Sequence, residues 1–256
     1  MNAELLLRFV LGCDRAYLFA HPERELTLKE TARYDAVLAE RSRAVPAQYI
    51  TGHQEFWGMD FIVTPAVLIP RPETELLIET VLQMKPKGAV RIVDVGTGSG
   101  CIALALAHEL SEAEIHATDI SIQALEIARA NSARHQLEKR VQFHQADLLA
   151  GLEGPFDLIV SNPPYVGESE ADQVQLEVRK FEPRTAVFAG TKGTEVIERL
   201  IPQAWEVLRA GGWLTMEISG TIAKPVSRLL EGWREVRIIP DLQSIPRVVV
   251  ARKTAD

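Results

Sequence analysis

The chain has 256 residues, of which 46% are hydrophobic and 25% are charged, a composition that excludes a disordered or fibrous protein. This length permits one large α/β domain, alone or with a small appendage. The formal net charge of −7 argues against a protein that lives on the nucleic-acid backbone, since such proteins neutralise phosphates with clustered Lys and Arg.

The first 52 residues contain no strand-like run and show the apolar spacing of amphipathic helices. Apolar residues recur every three or four positions over residues 4–19 and 28–43, so we expect a small helical unit here. The apolar run over residues 5–11 is too short to span a membrane and is interrupted by Arg8. It also lacks a basic leader and a cleavage pattern of small residues, so we do not expect a signal peptide.

A β-hairpin is predicted to connect this unit to the rest of the chain. Residues 55–69 alternate loosely between apolar and polar, and residues 57–60 (Trp-Gly-Met-Asp) are typical of a turn. Pro72 and the acidic residues after it suit the first turn of a helix that reaches about Met84. We therefore divide the chain into residues 1–71 and residues 72–256.

From residue 90 onward, strand patterns alternate with helix patterns, which predicts βαβ units around a parallel sheet and an α/β fold class. The last two strands are close enough in sequence to be antiparallel. The predicted strands cover residues 90–95, 114–119, 141–146, 156–161, 213–218, 233–239 and 247–252, and the predicted helices cover residues 101–110, 122–135, 193–208 and 222–230.

A glycine-rich loop joins the first of these strands to its helix. Glycines at a strand end let a ligand lie against the backbone, and the N–H groups of the following helix point outward. Dinucleotide-binding proteins use G-x-G-x-x-G for a pyrophosphate, whereas the third glycine here arrives one residue early. This spacing favours a nucleoside with an amino-acid tail over a plain tight turn or a dinucleotide site. The candidate binding residues are Asp94, Gly96, Thr97, Gly98, Ser99 and Gly100.

Aspartates end the next two strands. Asp119 stands where an acidic side chain commonly accepts hydrogen bonds from ribose hydroxyls, although Asp119 and Ser121 also have the chemistry of a helix N-cap. Asp147 can accept a hydrogen bond from an adenine amino group, with Leu148 beside the ring. An aspartate after a strand is also a common loop residue, so an ordinary loop position for Asp147 stays open.

The strand over residues 156–161 runs directly into Asn162, Pro163, Pro164 and Tyr165. The prolines have no N–H to donate and a nearly fixed φ, so they end the strand and present rigid carbonyl acceptors. The Asn162 oxygen, the Pro163 carbonyl and the Tyr165 ring can converge on a planar NH2 group. Such a group is a poor nucleophile because its lone pair is delocalised, and turning that lone pair out of conjugation makes it attack. Asn162 and Pro163 are therefore the catalytic candidates, although Asn-Pro-Pro is also typical of a simple turn.

The cysteines and histidines give no sign of a disulfide or a metal site. Cys13 and Cys101 are far apart and form no C-x-x-C pair, which indicates a reducing compartment, and we expect the cytoplasm. The six histidines are scattered, so we expect no metal. Cys101 begins a helix, where a thiol pKa can be lowered, but no base accompanies it, so we do not expect a nucleophile.

In combination, Asp94, the three alternating glycines, Asp119 and residues 162–165 resemble the S-adenosylmethionine-dependent methyltransferases of the seven-stranded class that methylate planar amino groups. Two further segments are similar to the peptide-chain release factor glutamine methyltransferase family of the HemK/PrmC type. They are residues 68–75 (Leu-Ile-Pro-Arg-Pro-Glu-Thr-Glu) and residues 178–186 (Val-Arg-Lys-Phe-Glu-Pro-Arg-Thr-Ala). The resemblance covers most of the chain.

This resemblance implies a Rossmann-like seven-stranded methyltransferase domain over residues 72–256 and an N-terminal helical substrate-docking domain with a hairpin linker over residues 1–71. It implies methyl transfer from S-adenosylmethionine, which becomes S-adenosylhomocysteine, to the side-chain nitrogen of the glutamine in the Gly-Gly-Gln motif of class 1 release factors. Neither a membrane nor a stable nucleic-acid partner is expected.

The resemblance also assigns roles to residues. In this family the glycine-rich loop and the residues that match Asp119 and Asn162 bind the cofactor. The residues that match Asn162, Pro163, Pro164 and Tyr165 hold the glutamine. The chain departs from the family after Glu217, where a Gly and a Gln are usual but residues 218–224 read Ile-Ser-Gly-Thr-Ile-Ala-Lys.

Three alternatives remain at this point. A methyltransferase of base amino groups in DNA or RNA can carry the same corner, and Arg179, Lys180 and Arg184 favour it, but it must flip a base and grip phosphates. A helical interaction module fused to a nucleoside sensor does not need the acceptor corner. A dehydrogenase is disfavoured by the glycine spacing.

Overall fold

The computed structural model describes residues 2–84 and 88–254, and the described chain begins with a small helical unit. Asp14 interrupts the helical pattern predicted over residues 4–19, because its side chain caps a new helix by accepting a hydrogen bond from the Tyr17 amide at 2.7 Å. The next helix begins with a capping box between Thr27 and Glu30. The helices are α1 (Asn2–Leu11), α2 (Arg15–Ala20), α3 (Leu28–Ser42) and the unpredicted α4 (Ala47–Thr51).

The predicted hairpin is confirmed but is shorter than expected. Its antiparallel strands are β1 (His53–Phe56) and β2 (Met59–Ile62), joined at Trp57 and Gly58. Both turn residues have positive φ, as a two-residue hairpin turn with the right-handed twist of its strands requires. The predicted continuation to residue 69 is wrong. Residues 63–71, here called the connector, leave the hairpin without regular structure.

The predicted alternation of strands and helices is confirmed over residues 72–161. Pro72–Thr74 form a 3-10 turn that leads into a helix, as the proline and the acidic residues indicate. The elements are α5 (Glu75–Gln83), β3 (Arg91–Val95), α6 (Cys101–Glu109), β4 (Glu114–Asp119), α7 (Ile122–Arg134), β5 (Val141–Gln145) and β6 (Phe156–Ser161).

Residues 166–190 form a small unit that the sequence patterns do not predict. Two very short parallel strands enclose two short helices, and these lengths are too small to show a periodicity. The elements are β7 (Val166–Gly167), α8 (Leu176–Phe181), α9 (Arg184–Val187) and β8 (Phe188–Gly190).

The closing elements follow the predicted order, and the last two strands are antiparallel as expected. The strand predicted from residue 213 begins earlier, at Leu208, because a register irregularity around Gly211 and Gly212 lets the chain continue pairing with β6. The elements are α10 (Glu195–Val207), β9 (Leu208–Glu217), α11 (Ala223–Leu229), β10 (Arg234–Pro240) and β11 (Pro246–Arg252).

A seven-stranded mixed sheet organises the domain, in the order β10-β11-β9-β6-β3-β4-β5. Successive residues of β6 alternate between two apolar layers: Leu158 and Val160 pack with α5 and α6, and Ile159 packs with α10 and α11. The strands β4 and β5 lie on one side of β3, whereas β6 lies on its other side, so the strand order reverses between β3 and β6. Ligands of open α/β sheets bind at the carboxyl ends of the strands beside such a switch point.

Asn131 of α7 fixes the hairpin onto this sheet domain. Its side chain is fully buried, accepts a hydrogen bond from the Ile62 amide at 2.7 Å and donates to the Ile62 carbonyl at 3.0 Å. It also donates to the carbonyl of Ser99 in the glycine loop at 2.9 Å. One side chain therefore holds both the end of the hairpin and the loop.

Within the described ranges, no helix is both long enough and apolar enough to cross a lipid bilayer.

We expect Asn131→Ala to lower the free energy of unfolding by roughly 2–5 kcal/mol, because it leaves the Ser99 carbonyl buried and the Ile62 backbone groups part-buried without these partners. Urea unfolding measures this change. Glu126→Ala, at an exposed position on the same helix, is the matched control and should change stability by no more than about 0.5 kcal/mol. Equal losses in the two variants would contradict this role of Asn131.

Candidate functional site

A cavity of about 320 Å³ lies at the carboxyl edge of the sheet, beside the switch point. The connector, the glycine loop, the ends of β4 and β5, the corner after β6 and residues 183–188 contribute to its wall. Of the predicted site residues, Gly96, Thr97, Gly98, Ser99, Asp119, Asp147, Leu148, Asn162 and Pro164 line it. Asp94, Gly100, Pro163 and Tyr165 are not part of the lining.

The glycine loop is shaped by left-handed backbone at each of its three glycines, with φ of 73° at Gly96, 55° at Gly98 and 83° at Gly100. A Cβ at Gly96 or Gly98 would meet no atom within 4 Å, so this side of the loop is open to a ligand. A Cβ at Gly100 would lie 3.2 Å from that of Ala128. Gly100 thus serves the packing of α6 on α7, and Gly96 and Gly98 form the open cradle.

Several amides of this loop already have partners within the protein. The Gly96 and Thr97 amides both donate to the Thr118 carbonyl at 2.9 Å, and the Gly98 amide donates to Asp119 at the same distance. A loop that binds a diphosphate instead directs its amides at the ligand. These bonds agree with the expectation from glycine spacing that the ligand is not a dinucleotide.

Asp94 lies beneath the loop and supports it from inside. One carboxylate oxygen accepts hydrogen bonds from the Thr97 hydroxyl at 2.6 Å and the Ala103 amide at 3.2 Å. The other oxygen is buried and has no hydrogen-bond partner among the described residues. Burial raises the pKa of Asp94 to about 7, and the nearby charge of Asp119 acts in the same direction.

Asp119 joins the loop to α7. Its two oxygens accept hydrogen bonds from the Gly98 and Ser121 amides, each at 2.9 Å, and burial raises its pKa. The helix cap itself is Ser121, whose hydroxyl accepts from the Ala124 amide at 3.2 Å. Asp119 lines the cavity, and Ser121 provides the cap of α7.

Asp147 and Leu148 line the far end of the cavity. Leu148 has a positive φ of 57°, and Asp147 forms an ion pair with Arg199 of α10. Arg199 also lines the cavity, and no local sequence pattern identifies it. It stands 52 positions from its partner, and one exposed arginine on an amphipathic helix is indistinguishable from a solvated surface residue.

The corner after β6 connects to two residues that the sequence analysis does not place in the site. The Asn162 side-chain nitrogen donates to the Thr74 hydroxyl at 3.1 Å, and that hydroxyl donates to Glu217 at 2.6 Å. The Tyr165 hydroxyl donates to the other oxygen of Glu217 at 3.1 Å. Asn162 is at the cavity wall, whereas Tyr165 is directed toward Glu217.

The two segments that carry the family resemblance meet at the cavity. Arg71 of the connector forms an ion pair with the buried carboxylate of Glu182, which also accepts a hydrogen bond from the Ile69 amide at 3.2 Å. Tyr49 of α4 holds the same connector, because its hydroxyl donates to the Val67 carbonyl at 2.6 Å. These contacts fix the connector where it forms part of the cavity wall.

Cys101 does not have the properties of a nucleophile, in agreement with its prediction from sequence. It is 7% exposed, and burial raises the pKa of its thiol to about 12, which disfavours the nucleophilic thiolate.

No group of three or more His, Cys, Asp or Glu side chains able to hold a metal ion occurs in residues 2–84 and 88–254.

Comparisons with known proteins give matches along the whole chain. Residues 72–180 match the family model described as methyltransferase small domain, and residues 1–52 match the PrmC N-terminal domain. The release factor glutamine methyltransferase of Koribacter versatilis (strain Ellin345) is 58% identical over 257 residues, covering 99% of this chain and 91% of the relative. The enzyme of the same name from Chlorobaculum tepidum is 42% identical, with coverage of 96% and 88%.

Solved structures match the fold. A methyltransferase from Pyrococcus furiosus is similar with a TM-score of 0.58 at 20% identity, over 88% of this chain and 99% of that one. The likeness at this identity concerns the fold, and it agrees with the Rossmann-like seven-stranded sheet described above.

The raised pKa of Asp94 predicts a specific pH dependence of stability. Between its ordinary value of 3.8 and about 7, the folded protein holds a proton that the unfolded chain releases. The free energy of unfolding of the wild type should therefore fall relative to Asp94→Asn as the pH rises through this window, by up to about 1.4 kcal/mol per pH unit. Denaturant unfolding of both proteins across the window measures the difference. Parallel curves would show that Asp94 is ionised when folded.

Proposed function

Because this chain belongs to the release factor glutamine methyltransferase family, we propose that it methylates the side-chain amide nitrogen of the glutamine in the Gly-Gly-Gln motif of class 1 release factors. Family membership makes it an S-adenosylmethionine-dependent methyltransferase. The observation that carries the substrate assignment is that one cavity joins the glycine loop and Asp119 to Asn162.

The cavity fits S-adenosylmethionine by its size and by the chemistry of its wall. A volume of about 320 Å³ lies within the usual range of small-molecule sites. Gly96 and Gly98 provide an open cradle, Asp119 provides an acceptor for ribose hydroxyls, and Asp147 and Leu148 provide an acceptor and an apolar surface for adenine. When bound, S-adenosylmethionine supplies a methyl group on a positively charged sulfur. We propose S-adenosylhomocysteine as the product and no metal in the reaction.

Asn162 and Pro163 act on the incoming glutamine. An amide nitrogen attacks poorly while its lone pair is conjugated with the carbonyl group. The Asn162 oxygen and the Pro163 carbonyl accept the two N–H bonds of that nitrogen and hold its lone pair toward the methyl donor, with Pro164 and Tyr165 completing the corner. With S-adenosylmethionine bound, this arrangement would suit an in-line displacement, in which the bond from nitrogen to the methyl carbon forms as the bond from sulfur to that carbon breaks and the nitrogen releases one proton to solvent.

These acceptors make a strong general base unnecessary at the start of the reaction. The amide proton becomes acidic only as the nitrogen gains positive charge, and preorganised acceptors stabilise that charge where it develops. Asp94 supports the loop from below and takes no part in proton transfer in this proposal.

The cations that favour a nucleic-acid substrate are engaged with other side chains. Arg179 pairs with Asp172 at 2.7 Å, and Arg184 pairs with Glu168 at 3.2 Å. The Lys180 ammonium lies 5.1 Å from the centre of the Phe181 ring. Phosphate binding would have to compete with these contacts. We therefore propose no stable nucleic-acid partner.

For the N-terminal unit we propose docking of the release factor, with the domain boundary at residues 71 and 72. This unit contacts the unit over residues 166–190, part of which lines the cavity, by ion pairing between Arg41 of α3 and Glu177 of α8 at 3.1 Å. Cytoplasm is the compartment that we propose, because both cysteines are free thiols.

One labelling experiment tests the substrate. The protein is incubated with methyl-labelled S-adenosylmethionine and, separately, with purified release factor, ribosomes and DNA, and the label is located by peptide mass. We expect label on the Gly-Gly-Gln glutamine and none on a release factor in which glutamate replaces that glutamine. Label on nucleic acid alone would overturn the proposal.

We expect Asn162→Ala to reduce turnover on the release factor by roughly 10² to 10³, by analogy with removal of one oxyanion-hole donor. Single-turnover kinetics measure the loss, and thermal unfolding checks that the variant is folded. Turnover equal to that of the wild type would show that Asn162 is not catalytic.

A further inference from the structure

We infer that Thr74 and Glu217 are positioning residues that orient the Asn162 amide so that its oxygen, and not its nitrogen, faces the substrate. The inference rests on the proposed function, since it explains how the acceptor of the substrate N–H bond is set. It gives a role to two residues at 2% and 1% exposure that do not themselves perform the transfer.

The hydroxyl of Thr74 can donate a hydrogen bond to only one partner. A hydroxyl has one proton to donate, and an ionised carboxylate can only accept. The distance of 2.6 Å between the Thr74 hydroxyl and Glu217 is that of a charge-assisted bond, so the Thr74 proton is directed at Glu217. The Thr74 oxygen is then an acceptor toward its other partner.

That other partner is Asn162, at 3.1 Å. An acceptor requires a donor opposite it, so the nitrogen of the Asn162 amide must face Thr74. The amide group is planar with its oxygen on the other branch, which places the oxygen as the acceptor available to a substrate. Nitrogen and oxygen of such an amide are assigned from the hydrogen-bond network, and with Glu217 ionised the network leaves one choice.

Glu217 can direct this network because both of its oxygens accept hydrogen bonds. Tyr165 donates to one oxygen at 3.1 Å, and Thr74 donates to the other. Each carboxylate oxygen of Glu217 therefore has one protein donor. The hydroxyl of Tyr165 in the corner motif has the same function as that of Thr74, namely to hold Glu217 as an acceptor.

The orientation depends on the ionisation of Glu217. Protonated Glu217 can donate to Thr74, whose own proton would then turn to Asn162 and favour the opposite orientation of the amide. Arg247 of β11 favours the ionised form, Glu73 opposes it, and Tyr165 and Cys101 are the other titratable groups near the carboxylate. Burial raises the pKa of Glu217, so the correct orientation is lost as the pH falls.

The test compares Thr74→Val with Thr74→Ser. Valine keeps the shape but removes the hydroxyl, whereas serine keeps the hydroxyl. We expect Thr74→Val to lower kcat on the release factor by about 10-fold to 100-fold with a smaller change in KM, and Thr74→Ser to recover most of that loss. Loss of equal size in both variants would overturn the inference, because serine retains the hydroxyl to which the inference assigns the effect.

Thr80→Val is the matched control. Thr80 is a buried threonine of α5 whose hydroxyl donates to the Leu76 carbonyl at 2.7 Å, and it is not part of the cavity wall. Its replacement removes a buried hydroxyl from the same segment, and we expect wild-type kcat. A fall equal to that of Thr74→Val would also overturn the inference.

A second measurement uses the wild-type protein and needs no activity. The side-chain NH2 signals of Asn162 are assigned by NMR as those absent from Asn162→Asp. We expect one of the two protons to be protected from exchange and to lose this protection as the pH is lowered. Rapid exchange of both protons at neutral pH would contradict the orientation. If the wild type methylates no release factor, the proposed function fails, and this experiment still tests the position of the amide.

Discussion

Burial of carboxylates at one edge of the sheet is the constraint on which the site depends. A carboxylate removed from water must receive hydrogen bonds or an ion pair from the protein. Asp94 and Asp119 receive them from the glycine loop, Glu182 from the connector, and Glu217 from Thr74 and Tyr165. Asp94, Asp119 and Glu217 thereby fix parts of the cavity wall relative to the sheet, and Glu182 fixes the connector to the unit over residues 166–190.

Sequence patterns predict the parts of the site that are contiguous along the chain. The glycine loop and the corner at Asn162 are short motifs. Asp119 ends a strand that the alternation of strand and helix patterns predicts. Thr74 lies 88 positions from Asn162 and 143 from Glu217, so no local pattern reports their contact. Arg199 is missed for the same reason. Asp94 is found as part of the loop motif, but its position beneath the loop depends on tertiary packing.

The same distinction applies to the fold. Long strands and helices are predicted because each repeats its apolar period several times, as in the alternating layers of β6. The hairpin is predicted at its turn, where Trp57 and Gly58 adopt positive φ, but not at its end. There Asn131 takes over the Ile62 backbone groups. The unit over residues 166–190 has strands of two or three residues, which carry no readable period.

The ion pair between Arg71 and Glu182 has a consequence for how far the cavity wall can move. It joins the connector to the segment over residues 178–186, and the Glu182 side chain is 1% exposed whereas that of Arg71 is 33% exposed. Separating the two segments would leave the Glu182 carboxylate buried without its cation, which is unfavourable even though Arg71 itself reaches solvent. We therefore expect the connector and this segment to stay together while small molecules enter and leave.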